Sequence, residues 1–344
     1  LTTSNDQQPI TSQIMQFLTG KEISGAVVAA AELRLADAIG DEPVPVEELA
    51  TKVGADPDAL FRLMRALTTL GLFRASGERS FAHTELSAGL RSDAPERLLD
   101  MILLEGAEWG WKLSSRLAEP VRTGKPLFPE IYGKDLFSYF MEDEPEAGQV
   151  FDRAMTAISE SAVGPIVDAL DVTGVRKVVD VGGGQGSVVR AILQRNPGLS
   201  GVVFDIEPAL GDAHAELRDG ELSSRTELIA GDCRESVPVT ADLYLFRHVL
   251  HMWDDEGAAR ILRNVAASAA PGARVVAIEQ LVTEGPDGQY VALLDLHMLA
   301  VGGGRARSEL DFARLFEKAG LRLTRVTPTS AGDQLVEAEV VDGR

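Results

Sequence analysis

Two segments of the chain hold residues whose types and spacing can do chemistry. The first is Lys177-Val-Val-Asp-Val-Gly-Gly-Gly-Gln-Gly-Ser-Val-Val-Arg190. Its apolar residues before Asp180 read as a buried parallel strand. Gly182, Gly184 and Gly186 let the backbone turn and approach a ligand, and Ser187 is expected to cap the helix that follows. A second apolar run, Val202-Val-Phe-Asp205, lies one βαβ step further on and ends in a carboxylate that can accept hydrogen bonds from both hydroxyls of a ribose. Together these features describe a site for a nucleotide-type cofactor. A dinucleotide such as NAD is the competing ligand, but its Gly-x-Gly-x-x-Gly/Ala loop would use the position of Ser187 for a small residue and bring a pyrophosphate to the helix start. The second segment is Asp242-Leu-Tyr-Leu-Phe-Arg-His-Val-Leu-His-Met-Trp-Asp-Asp-Glu256, a strand, a loop and a helix capped by Asp254 or Asp255. It places His248 and His251 where a strand ends. In an open α/β sheet the carboxyl ends of the strands form the ligand crevice, so a histidine there is placed for catalysis.

Such residues need a sheet to hold them. Apolar runs at 177–181, 201–205, 226–230, 242–247 and 273–282 alternate with amphipathic segments, and the tail 321–326 and 334–341 alternates with period two. This predicts an α/β fold, a doubly wound, mostly parallel Rossmann-like sheet closed by an antiparallel pair. The first half differs. Residues 11–40 and 96–170 carry apolar positions at helical spacing, while 46–53, 56–70 and 71–74 read as helix, turn, capped helix and short strand, a winged helix. The expected domains are 1–165, mainly helical with the winged helix, and 166–344, the cofactor-binding sheet.

The pattern Asp-x-Gly-x-Gly-x-Gly from Asp180 to Gly186, with Asp205 after it, resembles the first two motifs of the class I S-adenosylmethionine-dependent methyltransferases. Over nearly its whole length the chain resembles the small-molecule O-methyltransferases of the plant caffeate type and of bacterial polyketide tailoring. That resemblance implies S-adenosyl-L-methionine as cofactor and S-adenosyl-L-homocysteine as product. It implies that Asp180, Gly182, Gly184, Gly186, Asp205 and Arg247 contact the cofactor, that Asp232 meets the adenine amino group, and that Cys233 and Arg234 stand where the adenine is usually covered. His251 takes the place of the catalytic base of a His-Asp-Trp motif, with Met252 for the acidic residue and Trp253 in register. Glu279 matches the carboxylate that orients the imidazole, whereas Ala306 stands where a second orienting glutamate is usual. Trp111, Phe151, Met155 and Met298 fall where the family lines an apolar slot for a flat aromatic acceptor, and His297, which departs from the apolar residue usual beside Met298, is expected to meet an acidic substituent of the acceptor. A homodimer formed by the first domain, acting on hydroxylated aromatics of antibiotic or other secondary metabolism without a metal, completes the expectation. The chemistry is consistent: a phenol ionises near pH 10, whereas an imidazole near 6.5 is largely free to take its proton. Methyl transfer by proximity alone, a ligand-sensing winged-helix regulator and NAD-dependent oxidoreduction are the rival functions.

Composition narrows the field. The net charge of −20 opposes phosphate backbones and anionic lipid, and acids and bases nearly cancel across the winged helix, so neither nucleic acid nor membrane is an expected partner. The single cysteine, Cys233, excludes an internal disulfide or a cysteine-based zinc cluster and fits a reducing cytoplasm. The chain starts without Met, which reads as a trimmed start, and the polar stretch up to Pro9 has neither the basic nor the apolar region of a signal peptide.

Overall fold

The structure, a computed structural model, describes residues 9–95 and 97–341. The polar start at 1–8, Glu96 at the edge of the expected helical stretch, and the last three residues lie outside the described residues. The described chain forms two compact units: one runs up to Lys112 and includes Glu144–Ala157, and the other comprises Leu113–Asp143 and Ile158 onward. Compactness therefore divides the chain at three places, where the sequence pattern pointed to one boundary at 165/166.

In the first unit the helices Ile10–Leu18, Gly20–Glu32 and Leu35–Ala38 precede the winged helix. Its helices are Val46–Val53 and Pro57–Thr69. Val44–Pro45 (β1), Phe73–Ala75 (β2) and Ser80–His83 (β3) form an antiparallel sheet in the order β1-β3-β2. Asp56 caps the second helix as its position before Pro57 requires, accepting from the backbone N–H groups of Asp58 and Ala59. Leu35, Ile39, Val46, Leu49, Met64, Leu67 and Phe73 close over one another as the core of this unit. Ile10, Ile14, Met15, Phe17 and Leu18 on the first helix remain exposed.

The second unit is built on Lys177–Val181 (β4), Ser200–Asp205 (β5), Thr226–Ala230 (β6), Leu243–Arg247 (β7), Arg274–Glu279 (β8), Leu321–Pro328 (β9) and Gln334–Val340 (β10). The sheet order is β6-β5-β4-β7-β8-β10-β9, parallel as far as β8 and antiparallel from there. Strands such as Val178–Val181 and Leu243–Phe246 are buried on both faces, which explains their unbroken apolar runs. One face packs Val179, Phe204, Tyr244, Ile261 and Phe316, and the other Val178, Val189, Ile192, Leu245 and Ile278. From β4 the chain winds outward first through β5 and β6 and then, on the other side, through β7 and β8. The reversal opens a crevice at the carboxyl ends of β4, β5 and β7, where the residues of chemical interest stand. Among the described residues no helix is long and apolar enough to cross a membrane.

Candidate active site

The glycine loop leaves β4 through three left-handed residues, Gly182 at φ 73°, Gly184 at φ 54° and Gly186 at φ 81°. Gly182 and Gly186 are also sterically required, because a Cβ would come within 2.6 Å of Val249 and 2.5 Å of Leu217. At Gly184 the space is open, so its backbone is accessible to a ligand. Asp205 at the end of β5 ties the loop down, its carboxylate accepting from Gly184 N–H at 2.8 Å and from Ile206 N–H at 2.7 Å. Burial raises its pKa against these bonds. The expected cap does not form: Gly186 occupies the cap position in a left-handed conformation, and Ser187 begins the helix with its hydroxyl on His214 Nε2 at 2.8 Å.

Two buried polar atoms at this loop, Oδ1 of Asp180 and Nε of Arg247, have no hydrogen-bond partner among the described residues. Asp180 is 1% exposed, and burial pushes its carboxyl up to about 7, with the Arg247 charge pulling the other way. Arg247 reaches Ser159 Oγ at 2.6 Å, and burial lowers its pKa despite Asp333, Asp180 and Glu279 nearby. An orphaned acid and an orphaned guanidinium nitrogen beside an open glycine backbone fit a cofactor whose end carries both an ammonium and a carboxylate. The residues expected at the other end lie where the strand order puts them. Asp232 follows β6, but its carboxylate is held by the Arg234 guanidinium, which lies over the Trp253 ring at 5.2 Å. Cys233 packs against the core, and burial with the nearby Asp232 pushes its thiol up to about 11.

His251 sits on the short turn after β7 with its side chain 17% exposed. Its Nδ1 lies 2.6 Å from Glu279 Oε2, and Glu279 Oε1 accepts from Leu250 N–H at 3.1 Å and His251 N–H at 3.3 Å. A carboxylate only accepts, so Nδ1 carries the proton and Nε2 keeps its lone pair. Burial pushes the imidazole down, but the charge and hydrogen bond of Glu279 outweigh it and hold His251 above the ordinary histidine value. Burial pushes Glu279 up, and the His251 charge and bond more than reverse that. Asp254, rather than Asp255, caps the next helix through Gly257 N–H.

Two contributors escape the sequence. Arg307 is 1% exposed and donates to the carbonyls of Leu250 at 2.8 Å and Trp253 at 3.0 Å, clamping the turn that bears His251. Its neighbour Gly304 lets this segment lie against His251, since a Cβ there would come within 2.3 Å of the His251 carbonyl. His248, which the sequence also places at the strand end, pairs with Asp333 at 2.9 Å. At Ala306 only the backbone is engaged, N–H to Asp295 at 2.8 Å. The residues expected to meet an acceptor are partly buried: Trp111, Phe151 and Met155 in the first unit, His297 and Met298 on the helix Gln289–Gly302 of the second. Trp111 donates its indole N–H to Gly106 O.

Known proteins resemble this chain in sequence and in fold. Residues 114–322 match the model of an O-methyltransferase domain and residues 15–93 that of an O-methyltransferase dimerisation domain. The mitomycin biosynthesis 6-O-methyltransferase of Streptomyces lavendulae is 36% identical, over 93% of this chain and 91% of that protein. The 3-amino-4-hydroxybenzoate 4-O-methyltransferase of Streptomyces cremeus is 33% identical, over 95% and 89%. A methyltransferase of calicheamicin biosynthesis, solved with S-adenosylhomocysteine bound, superposes with a TM-score of 0.85 at 32% identity, covering 97% of this chain and 99% of that one. The chain thus belongs to the O-methyltransferase family, as an S-adenosylmethionine-dependent enzyme that carries the family's dimerisation domain.

Proposed function

We propose that this enzyme methylates a phenolic hydroxyl of an aromatic natural product with His251 as general base and Glu279 as the group that orients it. The observation that carries the reading is the buried Glu279, which binds both the ring and the backbone of His251 and leaves Nε2 as the free, basic nitrogen of the pair. Asp205, Gly184, Asp180 and Arg247 would hold the cofactor, which supplies an electrophilic sulfonium methyl when bound. As the acceptor oxygen takes the methyl group, its proton passes to Nε2, and the imidazolium so formed is stabilised by the Glu279 carboxylate. Because Glu279 holds His251 above the ordinary value, the free base is the dominant form only on the alkaline side of it. The aromatic acceptor named for the Streptomyces cremeus relative supports a flat phenolic substrate, with Trp111, Phe151, Met155, His297 and Met298 proposed as acceptor contacts within their respective units. The dimerisation domain and the exposed apolar side chains of Ile10–Leu18 support a homodimer, with 1–165 serving assembly and acceptor and 166–344 the cofactor.

The test is His251→Ala. Turnover at pH 7 is expected to fall by roughly 10²–10⁴-fold with S-adenosylhomocysteine affinity unchanged, and the defect to narrow as pH approaches the acceptor's own pKa. Phenolic acids that raise the melting temperature in the presence of S-adenosylhomocysteine provide the acceptors for this assay. Near wild-type turnover of the variant would leave proximity as the source of catalysis.

A further inference from the structure

His248 holds a left-handed backbone, φ 54°, at the end of β7, a conformation that glycine adopts freely and histidine does not. Its Nε2–H donates to Asp333 Oδ1 at 2.9 Å, and Asp333 is 2% exposed in the turn before β10. The His248 and His251 rings lie 5.5 Å apart, so two imidazole–carboxylate pairs stand side by side, His248 with Asp333 and His251 with Glu279. Charged groups act on these pairs from four elements, Arg247 in β7, Glu279 in β8, Arg307 after Gly304 and Asp333 before β10, and Asp180 within β4 is coupled to Arg247. Arg307 disfavours a proton on His251, whereas Glu279 and Asp333 favour it. Burial pushes Asp333 up, but the hydrogen bond and charge of His248, with Arg247 and His251 beyond, keep it ionised below the ordinary value.

We propose that His248 and Asp333 are a positioning pair that sets the basicity of His251: the strained histidine pins a buried negative charge where it stabilises the imidazolium formed during transfer. This rests on His251 being the base. Neither residue need touch the substrate. Asp333 acts through space on the neighbouring imidazolium, and His248 keeps that carboxylate ionised and fixed.

The experiment uses the full-length protein with its histidines isotopically labelled. There are five histidines, and the His251 resonance is the one lost in His251→Ala. In Asp333→Asn, which keeps the shape and an acceptor for His248 while removing the charge, the His251 titration is expected to move down by roughly half a unit to one unit. The acid limb of kcat/KM should move to lower pH by the same amount. Asp333→Ser, smaller and also uncharged, serves if the amide does not fold, and should shift the titration in the same direction. A His251 titration that stays in place, or rises, overturns the proposal. Failure of the base itself is read separately: His251→Ala would then retain turnover and the wild-type pH profile would lack the His251 limb, whatever Asp333→Asn does to the ring.

Discussion

Glu279→Gln probes the centre of the site with one oxygen exchanged for an amide nitrogen. The native carboxylate receives three donors, Leu250 N–H, His251 N–H and the His251 ring, at 3.1, 3.3 and 2.6 Å. Glutamine keeps one acceptor oxygen and turns the other position into a donor, so at least one of the three buried donors loses its acceptor. A buried hydrogen bond to a charged group is worth roughly 1.5–3 kcal/mol, and breaking a buried ion pair costs up to roughly 3–5 kcal/mol. Because the substitution leaves one acceptor, a destabilisation of about 2–4 kcal/mol is expected when His251 is protonated. The sign with pH follows from the two shifts. His251 is raised above 6.5, so its contribution is complete below that value and fades as pH rises through its folded pKa. Glu279 is lowered from 4.5, so its contribution is complete above that value and fades as pH falls through its folded pKa. The gap in thermal stability between the enzyme and the variant should therefore be widest between 4.5 and 6.5 and shrink on the alkaline side, without vanishing, because the neutral ring still donates from Nδ1. Turnover should fall by about 10–100-fold, less than in His251→Ala, and the acid limb of kcat/KM should move to lower pH. Melting curves from pH 5 to pH 9 and a pH–rate profile measure both. A gap that is flat or grows with pH would refute the carboxylate–imidazolium pair.

Other perturbations address the cofactor loop and the assembly. If Asp205 holds the ribose as proposed, Asp205→Ala should weaken S-adenosylhomocysteine binding by roughly a hundredfold in calorimetry, with Gly184 also loosened, and an unchanged affinity would remove Asp205 from the site. Gly182→Ala should destabilise by about 2–3 kcal/mol, since it adds a collision with Val249 to the left-handed strain, whereas Gly184→Ala should cost only about 1 kcal/mol. Equal losses in chemical denaturation would contradict the steric difference between them. Light scattering at micromolar concentration should give a mass near twice the 36.8 kDa of one chain. A monomer would reject the dimer drawn from the first domain.

The sequence by itself determined what neighbours in the chain can decide. The runs that became β4, β5, β7 and β8 were legible because strands buried on both faces must be apolar throughout, the tail that became β9 and β10 because it alternates with period two, and the glycine loop because only glycine enters the left-handed region freely. Asp56 announced its helix through Pro57, and Asp205 and His251 were marked by standing at strand ends. The approach of Glu279 to His251 came into view only by resemblance, since 28 residues separate them and no local rule joins them. Tertiary structure decided the rest. Ser187 has the composition of a cap, yet Gly186 holds that position and the hydroxyl turns to His214, which arrives from beyond β5. Arg307 reads as an ordinary surface arginine until the fold buries it against the carbonyls of the His251 turn. Asp333 lies 85 residues from His248, and they meet because β10 inserts antiparallel beside β8 and brings the preceding turn back to the end of β7. Local propensity and hydrophobic period choose the elements, because those forces act between residues close in sequence. The pairing of charges in the crevice depends on strand order, which is settled only when the whole sheet closes its core.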